Sequence, residues 1–273
     1  AAPHVSWRRT WMGGAIAGGS FATFLVAFMV LRAFGIGPMG SLMGAGTFGS
    51  KETLVVADFR PPAGDSTLGA TAAEAIRTDL AQSRNLSVMT RAGMREATRL
   101  MGREGLAAVE YDVAREIATR EGAKAVLDGS IEKLGPAYVV SARLVATLDG
   151  KELGPFRATA DDDGELIAAL GALSREVRGK VGESLRDIRQ AQSLERVTTS
   201  SLPALRKYVE ASDVLSSLGD TERGQQLLRE AVALDSTFAM AWRRLASSFA
   251  GSGRGRAEAV QAIEKAFALR QRL

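Results

Sequence analysis

An uncharged run of 22 residues, Thr10 to Leu31, dominates the amino-terminal end of the chain. Arg8 and Arg9 precede it, and Arg32 follows it. A helix of this length rises about 33 Å, which matches a hydrocarbon core of about 30 Å. Soluble core helices are rarely apolar on every face over such a length, and the apolar region of a cleaved signal peptide is shorter. The run therefore predicts one uncleaved transmembrane helix.

The flanks of this predicted helix set its orientation. Two arginines precede it and one follows it closely. This excess predicts a cytoplasmic amino terminus in a bacterial inner membrane, with residues 33–273 in the periplasm. Trp7 and Trp11 are predicted to anchor the helix at the headgroup boundary, where amphipathic rings are favoured.

One face of the predicted helix carries only small side chains. These residues are Gly14, Ala15, Gly18, Gly19 and Ala22. Small side chains let a second helix approach closely, which is how membrane helices associate. The face therefore predicts an integral membrane protein as a partner, in addition to the lipid bilayer. Glycine is also common in membrane helices that have no specific partner, and the sequence leaves that alternative open.

Charge and composition narrow the functional classes. The net charge is +4, and three of these charges are the arginines that flank the predicted helix, which leaves +1 for the remainder. A basic surface for nucleic acid is therefore not predicted, despite the high isoelectric point. The chain has no cysteine, so disulfides and thiolate chemistry are excluded.

Strand and helix patterns alternate between residues 52 and 190, behind a glycine-rich, apolar linker at residues 34–51. The apolar side chains of the linker predict contact with the membrane surface or with a partner. The predicted strands are 53–59, 86–90, 123–134, 138–148 and 152–160, and the predicted helices are 68–83, 92–101, 112–121 and 163–188. Gly135 and Pro136 predict a hairpin turn. This order predicts an α/β domain, a mixed sheet with covering helices.

Several segments of this domain resemble the TolB-like amino-terminal domains of bacterial envelope and signalling proteins. They are the strand LVVADF before Pro61 and Pro62, the helix AAEAIRTDLAQS, the strand LSVMTR and the run Asp128-Gly129-Ser130. The resemblance covers about residues 52–190. It implies the same mixed sheet and a role in the envelope, and its segments contain no catalytic signature.

The last region, residues 191–273, repeats with a period of about 34 residues. The positions that repeat, or that have the spacing of the first helix of a tetratricopeptide repeat, are Tyr208, Leu215, Trp242, Leu245, Ala246 and Phe249. The region resembles two tetratricopeptide-like helical hairpins, 205–238 and 239–273, with Trp242 buried between helices. Such repeats need about three units or a cap, so we expect the pair to pack on the preceding domain or on a partner.

Patterns for catalysis, cofactor binding and metal binding are missing from the sequence. The single histidine, His4, lies in the amino-terminal tail, and Asp161–Asp163 predict a turn that caps a helix rather than a calcium loop. We therefore expect no enzyme, but an accessory or scaffolding subunit that docks on and stabilises a larger membrane protein complex, for example a photosynthetic or respiratory one. The alternative is a sensory or protein-interaction module of an envelope signalling system. No kinase precedes the predicted helix, which favours the first interpretation.

Overall fold

The computed structural model describes Thr23, Val26 and residues 41–49, 51–103, 105–106, 108–249 and 255–272. The predicted membrane helix lies outside these residues apart from Thr23 and Val26. Its predicted packing and anchor residues also lie outside them, namely Trp7, Trp11, Gly14, Ala15, Gly18, Gly19 and Ala22. Among the helices that the structure describes, none is both long enough and apolar enough to cross a membrane.

A five-stranded mixed sheet forms the centre of the first half of the chain. Its strands are β1 (Glu52–Val56), β2 (Leu86–Val88), β3 (Ala125–Leu134), β4 (Ala137–Ala146) and β5 (Glu152–Ala160). The strand order is β2-β1-β3-β4-β5, with β1 parallel to β2 and β3, and with antiparallel pairing from β3 to β5. Leu134 pairs with Ala137 across the predicted Gly135-Pro136 turn. The predicted mixed sheet is confirmed.

Helices cover both faces of the parallel part of the sheet. These helices are α1 (Leu68–Leu80), α2 (Arg91–Leu100), α3 (Tyr111–Arg120) and α4 (Leu166–Val181). Side chains alternate between the two faces of a strand, so Leu54 and Val56 meet α1 and α4, whereas Val55 and Ala57 meet α2 and α3. Both faces of β1 are therefore buried.

The first turn of α1 packs directly on the backbone that follows β1. A Cβ atom at Gly69 would stand 1.8 Å from the carbonyl oxygen of Phe59. The Phe59 ring in turn lies over Gly129 of β3, where a Cβ atom would stand 2.4 Å from its Cε2 atom. Phe59 is consequently buried, and the two glycines permit a contact that no larger residue allows.

Part of the apolar linker packs inside the chain's own core. Leu42 and Phe48 are buried in the cluster that α1 and α4 form with the sheet. The Leu42 and Met43 amides donate to the carbonyl oxygens of Lys180 and Val181, at 2.9 and 3.0 Å. For these residues, the expected contact with a membrane surface or a partner is wrong, because the core itself takes up their side chains.

The single helix predicted for residues 163–188 is two helices. After α4, Gly182 has a φ of 121°, and α5 (Leu185–Gln190) follows. The Ser184 hydroxyl caps α5 by accepting from the Asp187 amide at 3.1 Å. The break lets Glu183 turn back and bind Arg178. A glycine inside a helical pattern costs only about 1 kcal/mol relative to alanine, so Gly182 alone does not predict the break.

The carboxyl-terminal region consists of helices. They are α6 (Leu194–Val197), α7 (Leu202–Asp213), a π-helix (Val214–Leu218), α8 (Thr221–Leu234), α9 (Ala239–Ser248), α10 (Arg256–Ala268) and a short 3-10 turn (Arg270–Arg272). Helix α7 pairs with α8 and α9 pairs with α10, while α9 also packs on α8. Helices α6 and α7 pack on α1, and one continuous core runs through both halves of the chain. The expected packing on the preceding domain is confirmed.

The predicted repeat residues lie on this helical core. Tyr208 and Leu245 are buried, whereas Leu215, Trp242, Ala246 and Phe249 are half-buried against the same cluster. The prediction that Trp242 is buried between helices is wrong, because its side chain is half-buried. Its indole Nε1–H donates to the carbonyl oxygen of Ser236 at 2.9 Å, which draws the polar edge of the ring to the surface between α8 and α9.

A buried ion pair lies where α4 ends. Arg178 Nε and Nη2 donate to Glu183 at 2.8 and 2.7 Å, and each side chain is 1% exposed. The Ser83 hydroxyl donates to the same carboxylate at 2.6 Å. Burial alone raises the pKa of Glu183, but the bonds from Arg178 and Ser83 outweigh it and hold that pKa below its ordinary value. The pair is therefore ionised at neutral pH.

Asp79 of α1 is buried beside this pair, and its charge is poorly compensated. Gln82 donates to Asp79 Oδ1 at 2.9 Å, while Oδ2 has no hydrogen-bond partner among the described residues. Burial raises the pKa of Asp79 from 3.8 to about 6, with Arg178 and Arg175 opposing the shift and Glu195 adding to it. The folded state thus binds the Asp79 proton more tightly than the unfolded state does.

Asp79→Asn is expected to raise the free energy of unfolding at pH 8 by about 2 kcal/mol. The protonated carboxyl stabilises the fold fully below about pH 4, and this contribution is lost as the pH rises through 6. The amide keeps the acceptor for Gln82 but never ionises. Urea denaturation at pH 5 and pH 8 measures the effect. An equal difference between variant and wild type at both pH values would contradict the assignment.

Candidate functional site

A cavity of about 290 Å³ opens at the carboxyl ends of β1 and β2. Its walls carry Arg77 of α1 and Arg91, Arg95 and Arg99 of α2, with Asp58 at its base. We call it the arginine cavity. Asp58 comes two residues after β1, and Arg91 begins the helix that follows β2. The topology of the sheet therefore brings these side chains together from separate parts of the chain.

Asp58 and Arg77 are the most enclosed of these side chains, and each is 4% exposed. The Oδ1 atom of Asp58 accepts from Arg77 Nη2 at 3.1 Å and from Arg91 Nη1 at 3.2 Å, and its Oδ2 accepts from the Val109 amide at 3.0 Å. Burial alone raises the pKa of Asp58, but the two guanidiniums and the Val109 N–H outweigh it, so the pKa lies below its ordinary value. Asp58 is a fixed anion that orders two arginines.

Arg91 continues this network into the helical region. Its Nε and Nη2 atoms donate to the two carboxylate oxygens of Asp213, at the end of α7, at 2.5 and 2.9 Å. Arg95 forms an ion pair with the same carboxylate. Burial alone lowers the pKa of Arg91, but Asp213 and Asp58 outweigh it and raise that pKa. The ion pairs at the rim of the cavity thus also connect the two halves of the chain.

A second arginine–aspartate pair also connects the helical region to the sheet. Arg206 of α7 donates from both Nη atoms to Asp65, in the loop between β1 and α1, at 2.6 and 2.5 Å. Bidentate pairs of this kind fix orientation as well as distance. Together with the buried face of α7, the two arginine–aspartate pairs set the angle between the helical hairpins and the sheet.

Contacts within the cluster hold the charged side chains of the cavity in place. Asp58 is held ionised by three donors. Within the described ranges, no group of three or more His, Asp or Glu side chains could hold a metal ion. The aspartate run before α4 forms a turn, in which Asp162 Oδ1 accepts from the amides of Gly164 and Glu165 at 2.8 and 3.1 Å.

A second candidate surface lies on α10. Val260, Ile263 and Phe267 are 47%, 56% and 65% exposed, although all three are large and apolar. We call them the terminal stripe. Ala262 and Ala266 of the same helix are buried, and α10 packs on α9. The stripe is therefore a separate face of α10, apart from the one that the hairpin buries.

Comparison with known proteins finds little similarity. The sequence matches no protein-family model, and no curated protein matches it. Among solved structures, the C-terminal domain of LpoB from Escherichia coli is 19% identical, covers 43% of this chain and 92% of that chain, and has a TM-score of 0.37. TolB from Acinetobacter baumannii is 12% identical, with coverages of 49% and 29% and a TM-score of 0.35. Lipoprotein GNA1162 from Neisseria meningitidis is 18% identical, with coverages of 46% and 96% and a TM-score of 0.32.

Sequence reasoning missed the arginine cavity. Its arginines are spaced along α2 like an ordinary solvated helix face, and Asp213 is 122 residues from Arg91. One signal was available: Asp58 follows a buried strand directly, at the end of a parallel sheet where ligands commonly bind. The terminal stripe was also missed, because the repeat pattern assigns α10 to packing and does not say which face stays uncovered.

Proposed function

We propose that the protein is a non-enzymatic, membrane-anchored scaffolding subunit that docks on and stabilises a larger membrane protein complex. The observation that carries the proposal is the terminal stripe, where three large apolar side chains on one helix face stand in water. Exposed apolar groups that lie together mark interaction sites more often than isolated ones do. The anchor, with its cytoplasmic amino terminus and periplasmic body at a bacterial inner membrane, is the sequence-based part of the proposal.

The occupant that fits the stripe is an amphipathic helix of the partner. Helices α7 to α10 stack in succession, with α9 on α8 and α10 on α9. The stripe lies on a face of α10 that α9 does not cover, so it can accept one further helix. Its residues fall at positions i, i+3 and i+7, which is the anchor spacing by which one helix docks on another. A partner helix would thus take the place of the next helix in the stack.

The folded body also holds the terminal stripe in a fixed position. The Arg91–Asp213 and Arg206–Asp65 pairs and the continuous core hold α7 against α1. The stripe therefore has a defined orientation relative to the sheet. A scaffolding subunit needs this fixed orientation, because its docking surface must be held at a defined position relative to its membrane anchor.

The triple variant Val260→Ser, Ile263→Ser, Phe267→Ser should lose the partner complex while keeping its own fold. We expect at least a tenfold drop in the partner subunits that co-purify from native membranes, because the docking helix loses its apolar anchors. Urea denaturation checks the fold, since exposed substitutions change the free energy of unfolding by about 0.5 kcal/mol or less each.

Leu148→Ser is the matched control, because Leu148 is 89% exposed in the turn before β5. It should co-purify like the wild type. Undiminished co-purification of the triple variant would contradict docking through the stripe. If light scattering instead shows that the triple variant splits a homodimer, the occupant is a second copy and not a partner helix.

A further inference from the structure

Helices α8 and α10 correspond to each other at an offset of 35 residues. Helix α8 begins at Thr221 and α10 begins at Arg256, and Ala231 corresponds to Ala266 in the same register. Each helix is the second of a pair, because α8 packs on the preceding α7 and α10 packs on the preceding α9. The element that covers a face of α8 therefore indicates what fits the same face of α10.

The two helices share one buried face. Leu227 and Ala231 of α8 are buried, and so are Ala262 and Ala266, which occupy the same positions in α10. The offset therefore holds for the packing of the helices as well as for their sequence.

The terminal stripe corresponds to a face that is covered in α8. The three residues of the stripe lie 35 positions after Gln225, Leu228 and Val232, and those three are buried. Helix α9 packs on α8, and Gln225 Nε2 on this face donates to the carbonyl oxygen of Ser248, in α9, at 3.3 Å. The face of α8 that α9 covers is thus the one that the described residues leave exposed in α10.

Helix α9 indicates which side chains fit such a face. Its Ala241 and Leu245 are buried, and its Ala246 is half-buried. Small side chains next to one leucine let two helices pack at a short interaxial distance. Phe267 is larger than Val232 at the corresponding position, so a helix on the stripe needs side chains no bulkier than those of α9.

An ion pair between α8 and α10 adds a charge to this pattern. Arg229 of α8 donates to Glu258 of α10 at 2.6 and 3.0 Å, so the second helices of the two pairs are joined. The position of Arg229 corresponds to Glu264 in α10, which is exposed and forms no ion pair with any described residue. Because the charge is reversed at this position, its complement is a lysine or an arginine on the second helix of the occupant.

A second copy of the chain offers no matching helix among its described residues. The first helices of its two pairs are already enclosed, since α7 lies against α1 and α8, and α9 lies against α8 and α10. A copy that repeated the same packing step would also place its Glu258 opposite Glu264, and like charges disfavour that contact. The surface therefore favours a different protein as its occupant.

We propose that the terminal stripe docks a helical hairpin of the partner protein, an inference that rests on the docking role proposed above. The first helix of this hairpin lies on the stripe and carries the pattern of α9, a small residue, a leucine four positions later and then another small residue. Its second helix presents a lysine or an arginine to Glu264. The hairpin is thus added by the same step that relates α9 and α10 to α7 and α8.

Site-specific photo-cross-linking of the full chain in native membranes tests the proposal. Benzoylphenylalanine replaces Phe267 in one variant and the exposed Gln261, one turn before Glu264, in another. We expect both cross-links to map to one protein, the first to a helix with the α9 pattern and the second about ten to twenty residues further along that chain. The same replacement at Leu148, in the turn before β5, should give neither cross-link.

Glu264→Lys should reduce the yield of the Phe267 cross-link several-fold, because it places two cations opposite each other. Glu132→Lys is the matched control, because Glu132 is exposed on β3, and it should leave the yield unchanged. The hairpin is overturned if both cross-links map to a single helix, or if the two lysine variants behave alike. Docking through the stripe would survive either result, provided that the triple serine variant still loses the complex. Cross-links to a second copy, or no cross-link from Phe267, would overturn both proposals.

Discussion

Gly69→Ala is expected to lower the free energy of unfolding by about 3 kcal/mol, although alanine is the better helix former. The added methyl group would stand 1.8 Å from the Phe59 carbonyl oxygen. Neither atom belongs to a side chain that can rotate away, so α1 must shift from β1 or the backbone at Phe59 must move. Urea denaturation followed by circular dichroism measures the change.

Gly179→Ala in α4 is the matched control. A Cβ atom there meets only Ile188 Cδ1, at 3.9 Å, which is an ordinary contact. This variant should gain about 1 kcal/mol from helix propensity alone. Opposite signs for the two variants would separate the packing effect from propensity. A gain in both would mean that α1 has room to adjust at Gly69.

Glu183→Ala is expected to cost about 3–5 kcal/mol, because it leaves the buried guanidinium of Arg178 without its partner. Both side chains are 1% exposed, so water cannot replace the lost carboxylate. The same change removes the acceptor of the Ser83 hydroxyl. Thermal and urea unfolding at pH 7 should both report the loss.

Glu258→Ala removes an ion pair of the same geometry that is exposed to solvent. Glu258 also accepts two bonds from one arginine, Arg229, at 2.6 and 3.0 Å, but the two side chains are 38% and 45% exposed. Exposed pairs contribute about 0–1 kcal/mol, so this variant should be nearly neutral. Similar losses at Glu183 and Glu258 would show that burial does not decide the strength of the first pair.

Local patterns predicted the sheet well, because its strands are short apolar or alternating runs that end at turn residues. Each of the five predicted strands overlaps an observed one, and the Gly135-Pro136 turn lies where the sequence placed it. Burial and helix ends were harder to predict. Trp242 is half-buried because its indole donates to the Ser236 carbonyl, and the helix after β5 breaks at Gly182, where Glu183 pairs with Arg178 and Ser83. A hydrophobic period encodes neither of these polar contacts.

The candidate surfaces depend on contacts between parts of the chain that are far apart in sequence. A hydrophobic pattern shows that α10 is amphipathic, but only the neighbouring helices decide that Ala262 faces inwards and Ile263 faces water. Asp213 reaches Arg91 and Arg95 because α7 packs on α1. No sequence period encodes that packing, since it arises from complementary surfaces of two separate units.

The docking of Leu42 and Phe48 in the core limits how far the folded body can stand from a bilayer. If the membrane helix ends at Leu31, as the sequence predicts, only ten residues of chain lead from it to Ser41. Fully extended, these residues reach about 35 Å. If the chain stayed unattached as far as the start of β1, the connecting segment would reach about twice that distance. If the prediction holds, Ser41 lies no farther from the end of the membrane helix than about the thickness of one bilayer.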